Sequence, residues 1–75
     1  MNMNEATVLA IAVNDLAASA TEYRLPTTPI MLHCRDLIKL SPKVAEMLEF
    51  TEDGTGKDTL RAWGLLPADA GDGGA

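Results

Sequence analysis

Apolar residues recur at helical spacing through most of this chain. Leu9, Ala12, Val13, Leu16, Ala20 and Tyr23 fall on one face of a 3.6-residue repeat, and Val8 and Ile11 widen that face. The pattern predicts a first helix with Asn4 as its N-cap. Glu5 then sits in the first turn, where the helix dipole favours an anion. Alanines at positions 6, 10, 12, 17, 18 and 20 raise helix propensity and permit close approach by neighbouring helices. Arg24 lies near the C-terminal end, and Pro26 stops the helix. Thr28-Pro29 restarts the chain, with Thr28 as cap and Pro29 at the first helical position, where its missing N–H costs nothing. A second helix is expected from Pro29 to Leu40, with Ile30, Cys34, Leu37 and Ile38 on one face, Met31 and Leu32 beside it and Leu40 closing it. Ser41-Pro42 repeats the start signal. A short third helix follows, from about Pro42 to Phe50, with Val44, Met47 and Leu48 inward and Glu46 and Glu49 outward.

Residues 51–56 read as a turn, because they are polar and hold two glycines. Thr55 is the expected cap of a last helix over Lys57 to Trp63, with Asp58 placed for a capping box. Gly64 is the expected stop. Leu65 and Leu66 should fold back onto the core, and Pro67 ends regular structure. A short hairpin around Asp53-Gly54 is a lesser alternative. Ala68 to Ala75 carries no large apolar side chain to bury and is expected to be a disordered tail. The expected architecture is therefore all-α. It is a compact bundle of three to four short helices, with a helix-turn-helix-like C-terminal half and a single domain over residues 1–67.

Length limits what this architecture can do. With 75 residues there is one domain, marginal in stability on size alone. Cys34 is the only cysteine, so no disulfide framework helps, and a lone thiol suits a reducing cytoplasm. Ala6 to Val13 is apolar, but a signal peptide also needs a positive start, and the first charges here are Glu5 and Asp15. No apolar run approaches the roughly 20 residues of a membrane span. The first helix is apolar on more than one side, and a monomer this small struggles to cover it, so self-association as a homodimer is an expectation to test.

Charge changes the picture of the C-terminal half. The chain carries 11 acidic and 6 basic residues, a net charge of −5. Such a surface repels phosphate backbones and anionic lipid heads, and tolerates basic partners. Between Ser41 and Trp63 the acids Glu46, Glu49, Glu52, Asp53 and Asp58 outnumber the bases Lys43, Lys57 and Arg61. A DNA reader needs the opposite balance.

Candidate chemistry is sparse. Gly54-Thr-Gly-Lys-Asp-Thr59 has some of the look of a phosphate loop, but the first glycine of that motif should fall at Thr51, and Asp58 stands where a hydroxyl should bind magnesium. His33 and Cys34 are adjacent, so on a helix they point about 100° apart and do not face each other. One Cys and one His do not complete a structural zinc site. Glu49, Glu52 and Asp53 lack the ligand order of a calcium loop and read as a solvated acidic turn. No cleft for paired carboxylates is expected in this length, and no cofactor is implied. Arg35, Lys39 and Lys43 recur every four residues, either as an ordinary solvated face or as a basic spot for an acidic partner. Trp63 is the sole tryptophan, a core anchor if buried and a binding hot spot if exposed.

Val44-Ala-Glu-Met-Leu48, followed by Thr59-Leu-Arg-Ala-Trp-Gly-Leu-Leu-Pro67, resembles MerR-type and excisionase-like DNA-binding domains. Those families read as a V-A-x-x-L helix, a tight turn, then T-L/I-R-x-Y/W and G-L-L-P. Carried over, the resemblance makes Arg61 the basic DNA contact, with Lys57 near the helix start. Two departures stand out: the connection from Glu49 to Asp58 is several residues longer than that pattern, and the region is acid-rich. In overall character the chain is similar to small, acidic, phage-encoded proteins that bind host RNA polymerase and inhibit or redirect transcription. That likeness implies a non-enzymatic regulator in the bacterial cytoplasm. Its partner-binding face would be Glu46, Glu49, Phe50, Glu52, Asp53 and Trp63, and Arg35, Lys39 and Lys43 form the alternative basic face.

Overall fold

The first helix starts two residues earlier than the apolar pattern predicts. The computed structural model describes residues 1–67, and the tail expected over Ala68 to Ala75 lies outside them. Helix α1 spans Met3–Glu22, and its N-cap is Asn2, not Asn4. The reason is the position of Glu5. Asn2 Oδ1 accepts the Glu5 N–H at 2.9 Å and Glu5 Oε1 accepts the Asn2 N–H at 3.1 Å, a complete capping box. At the other end, Arg24 itself turns the chain, with φ of 53°. The Leu25 N–H reaches back to the Ala20 carbonyl at 3.1 Å, the six-to-one bond of a Schellman turn. Pro26 follows a helix that has already ended.

Helix α2 spans Thr27–Lys39 and also begins two residues early, after Pro26, with no side-chain cap. Pro29 is its third residue. The first N–H groups of a helix have no intrahelical acceptor, so proline is tolerated there without losing a bond. Helix α3 spans Pro42–Leu48, with Ser41 Oγ accepting the Lys43 N–H at 3.2 Å as its cap. Helix α4 spans Thr55–Ala62, with Gly54 at the cap instead of Thr55. Its first turn closes through the Asp58 N–H on the Gly54 carbonyl at 3.0 Å. Gly64, at φ of 77°, is the stop the sequence indicates. The Leu65 N–H bonds the Leu60 carbonyl at 2.9 Å and returns Leu65 and Leu66 to the core. The fold of the described residues is all-α, a bundle of four helices. No strand occurs among the described residues, so the hairpin around Asp53-Gly54 does not form.

α1 is the hub. α2, α3 and α4 each pack on it, α2 also packs on α3, and the backbones of α3 and α4 do not pack on each other. The order helix, turn, helix is present in the C-terminal half, with the two helices docked separately on α1. The buried stripe of α1 is Ala6, Ala10, Val13, Ala17 and Ala20, at alternating spacings of four and three. It is rotated from the expected face: Leu9 and Leu16 are half-buried, and Tyr23 is 71% exposed. Small side chains let three helices reach one axis, and the bulkier residues are displaced to the seams. Val13, Cys34, Val44, Leu48 and Leu60 are the largest fully buried side chains.

The closest approach is between α1 and α4. A Cβ at Gly56 would overlap the backbone carbonyl and Oδ1 of Asn14. Gly56 is therefore buried at a helix crossing and not in a phosphate-binding turn. A threonine pair supports the same seam. Thr59 Oγ1 donates to the Thr55 carbonyl at 2.8 Å, and the Thr21 hydroxyl, 2.7 Å away, donates to Thr59.

Candidate functional site

The residues expected to form one acidic, aromatic face separate into two structures. The first is a latch around Lys57. This side chain is 5% exposed, so it is not available as a surface base. Its Nζ donates to the Glu49 carbonyl at the end of α3 at 2.9 Å and pairs with Asp53 Oδ1 at 3.3 Å. The ammonium thus satisfies a helix-end carbonyl and holds the connection across residues 49–54. Arg61 adds longer contacts to Asp53 at 3.5 Å and Asp58 at 3.4 Å. The Lys57 hydrogen bond, then the Lys57 charge and the Arg61 hydrogen bond, hold the Asp53 carboxyl below its ordinary value of 3.8. Asp53 is therefore a partner of Lys57 and Arg61. It is not a free charge on a binding face, and the two bases named as DNA contacts are both engaged by acids of the same segment.

The second structure is a groove between α1 and the end of α3, of about 410 Å³. Thr7, Ile11, Asn14 and Asp15 form one wall, and Met47, Phe50, Thr51 and Glu52 form the other. Phe50 is 76% exposed and Ile11 50% exposed, so the groove opens to solvent along its length. Its charged lining residues are Asp15 and Glu52, and both are exposed. Glu46 on α3 and Glu49 at its C-cap are exposed, beside the same wall in sequence. Among the described residues no ion pair engages Glu46, Glu49 or Glu52. Of the expected face, then, Glu46, Glu49, Phe50 and Glu52 remain free at the surface. The α1 wall, Thr7, Ile11, Asn14 and Asp15, was not legible as part of a site. Its one signal is that Ile11 is apolar and lies off the alanine stripe.

Trp63 does not join this groove. It is half-buried and packed against the core cluster, to which the Gly64 turn also returns Leu65 and Leu66. Five more of the residues that carry the DNA-binding resemblance are packing residues: Val44, Leu48, Thr59, Leu60 and Leu66 are buried, whereas Pro67 is exposed. The basic stripe is likewise partly engaged. Arg35 pairs with Asp36 at 3.1 Å, Lys43 donates to the Met1 carbonyl at 3.1 Å, and Lys39 is exposed.

Cys34 is fully buried, with its Sγ 3.9 Å from the Val13 carbonyl, and His33 is exposed. Burial pushes the thiol up, away from the thiolate form that reacts. Among the described residues no three His, Cys, Asp or Glu side chains converge as a metal set. None of their helices is long and apolar enough to cross a membrane. Compared with known proteins, the chain matches no family model, no curated protein and no solved structure.

Proposed function

We propose that this chain is a non-enzymatic regulator that works by binding protein. Its partner is a bacterial macromolecular complex, RNA polymerase foremost, and the chain is encoded by a phage or mobile element. The mechanism is occupation of a surface that another factor needs, so that transcription is inhibited or redirected. The observation that carries the reading is Phe50, three-quarters exposed beside the unpaired acids Glu46, Glu49 and Glu52. A large aromatic left in water adds little to packing, which supports a binding role for it. The sealed Cys34, with its thiol pushed up by burial, supports a non-catalytic role.

Run-off transcription with purified bacterial RNA polymerase tests this. Wild-type protein should change transcript yield in proportion to its concentration, and Phe50→Ala should not. Unchanged yield, together with no co-sedimentation with the polymerase, counts against the reading. A DNA-binder of MerR or excisionase type would instead give a mobility shift that fades steeply with salt and with Arg61→Ala. The engagement of Lys57 and Arg61 by Asp53 and Asp58 favours the protein-binding reading.

A further inference from the structure

The groove between α1 and α3 has a definite chemistry. Ile11, Met47 and Phe50 supply apolar surface, Thr7, Asn14 and Thr51 supply polar atoms, and the only charges on its walls are the carboxylates of Asp15 and Glu52. Helix α1 rises 1.5 Å per residue, so Thr7 to Asp15 extends about 12 Å, a little over two turns. That length suits one or two side chains from a helix or an extended segment. The half-exposed apolar walls make it an open trough and not an enclosed small-molecule cavity.

Resting on the protein-binding reading above, we propose that this groove is the docking site for a basic amphipathic segment of the partner. The segment sets an apolar side chain against Ile11 and Phe50, and lysine or arginine against Asp15 and Glu52. Charge complementarity selects this occupant over the others. A second copy would bring the same carboxylates to the same rim, on a chain of net charge −5. The chain's own residues 68–75 carry Asp69 and Asp72, no base and no large apolar side chain. An anionic lipid surface is repelled by the rim.

The test is a titration of the nitrogen-labelled full chain, followed by backbone amide NMR. The probe is a synthetic helical peptide with leucines along one face and lysines flanking them. Two controls replace the lysines by glutamate or the leucines by serine. The lysine–leucine peptide should give saturable shifts at Ile11, Asn14, Thr51 and Glu52, weakening with added salt. Both controls should fail to saturate. Phe50→Ala, and separately Asp15→Lys with Glu52→Lys, should each weaken binding roughly tenfold or more. All three positions are exposed, so the variants keep the fold, and circular dichroism checks this. No binding, shifts centred elsewhere, or affinity unchanged in these variants would overturn the proposal. So would concentration-dependent sedimentation abolished by Phe50→Ala, which would put a second copy in the groove. A natural partner that Phe50→Ala and the charge reversals retain in full would overturn the groove and leave the protein-binding reading standing. Peptide seated in the groove, with no partner recovered from bacterial lysate, would do the reverse.

Discussion

Lys57 shows how one residue changes meaning between sequence and structure. Beside two glycines and in an acidic turn it reads as a surface base, yet its buried ammonium joins the end of α3 to Asp53. Nothing in the local pattern marks it, because the carbonyl it satisfies lies eight residues upstream, at the end of another helix. Lys57→Met should leave the Glu49 carbonyl without its donor and destabilise the fold by about 1–3 kcal/mol in urea unfolding. Asp53 gives the same latch a pH dependence. Its carboxyl is held below the ordinary 3.8, so its contribution is complete above that value and is lost as pH falls through the lowered native one. The stability gap between wild type and Asp53→Asn should therefore be open at neutral pH and close in acid. A gap that persists unchanged in strong acid would show that the ion pair is not its source.

At the scale of elements, number and order were legible and the seams were not. Four helices, the Ser41-Pro42 start and the Gly64 stop all follow from local signals. The helix starts moved because the deciding bonds were not those of the nearest polar residue. Asn2 outcompetes Asn4 through its reciprocal bond with Glu5, and Gly54 leads α4 where Thr55 is expected. Two turns carry predictions. Arg24 holds a left-handed backbone that glycine adopts without steric cost, so Arg24→Gly should stabilise by about 0.5–1 kcal/mol in thermal or urea unfolding. Gly56 sits where α4 meets Asn14, and a methyl group there has no space. Gly56→Ala, a change that normally favours a helix, should destabilise by about 1–3 kcal/mol or more. An increase in stability would contradict the close approach of Gly56 to Asn14.

The whole molecule is organised around a helix of small residues. Three helices reach α1 through its alanines, and the bulkier apolar residues Val8, Ile11 and Tyr23 are left at its surface. One wall of the groove was partly legible, since Phe50 and Glu52 of the expected face line it, with Glu46 and Glu49 exposed close by in sequence. The other wall was not, because it comes from a helix more than thirty residues away in sequence. Trp63, a core anchor if buried and a hot spot if exposed, is half-buried against the core cluster and takes the first of these roles. Exposed Phe50 lies in the groove wall with Glu52, close in sequence to Glu46 and Glu49, and the proposed protein binding rests on these residues. The most direct measurement is quantitative mass spectrometry of proteins that co-purify from bacterial lysate with the tagged chain, wild type against Phe50→Ala. Protein binding through Phe50 predicts one macromolecular complex enriched by the wild type and lost with Phe50→Ala. Recovery of nothing above background, or equal recovery by both proteins, would contradict it.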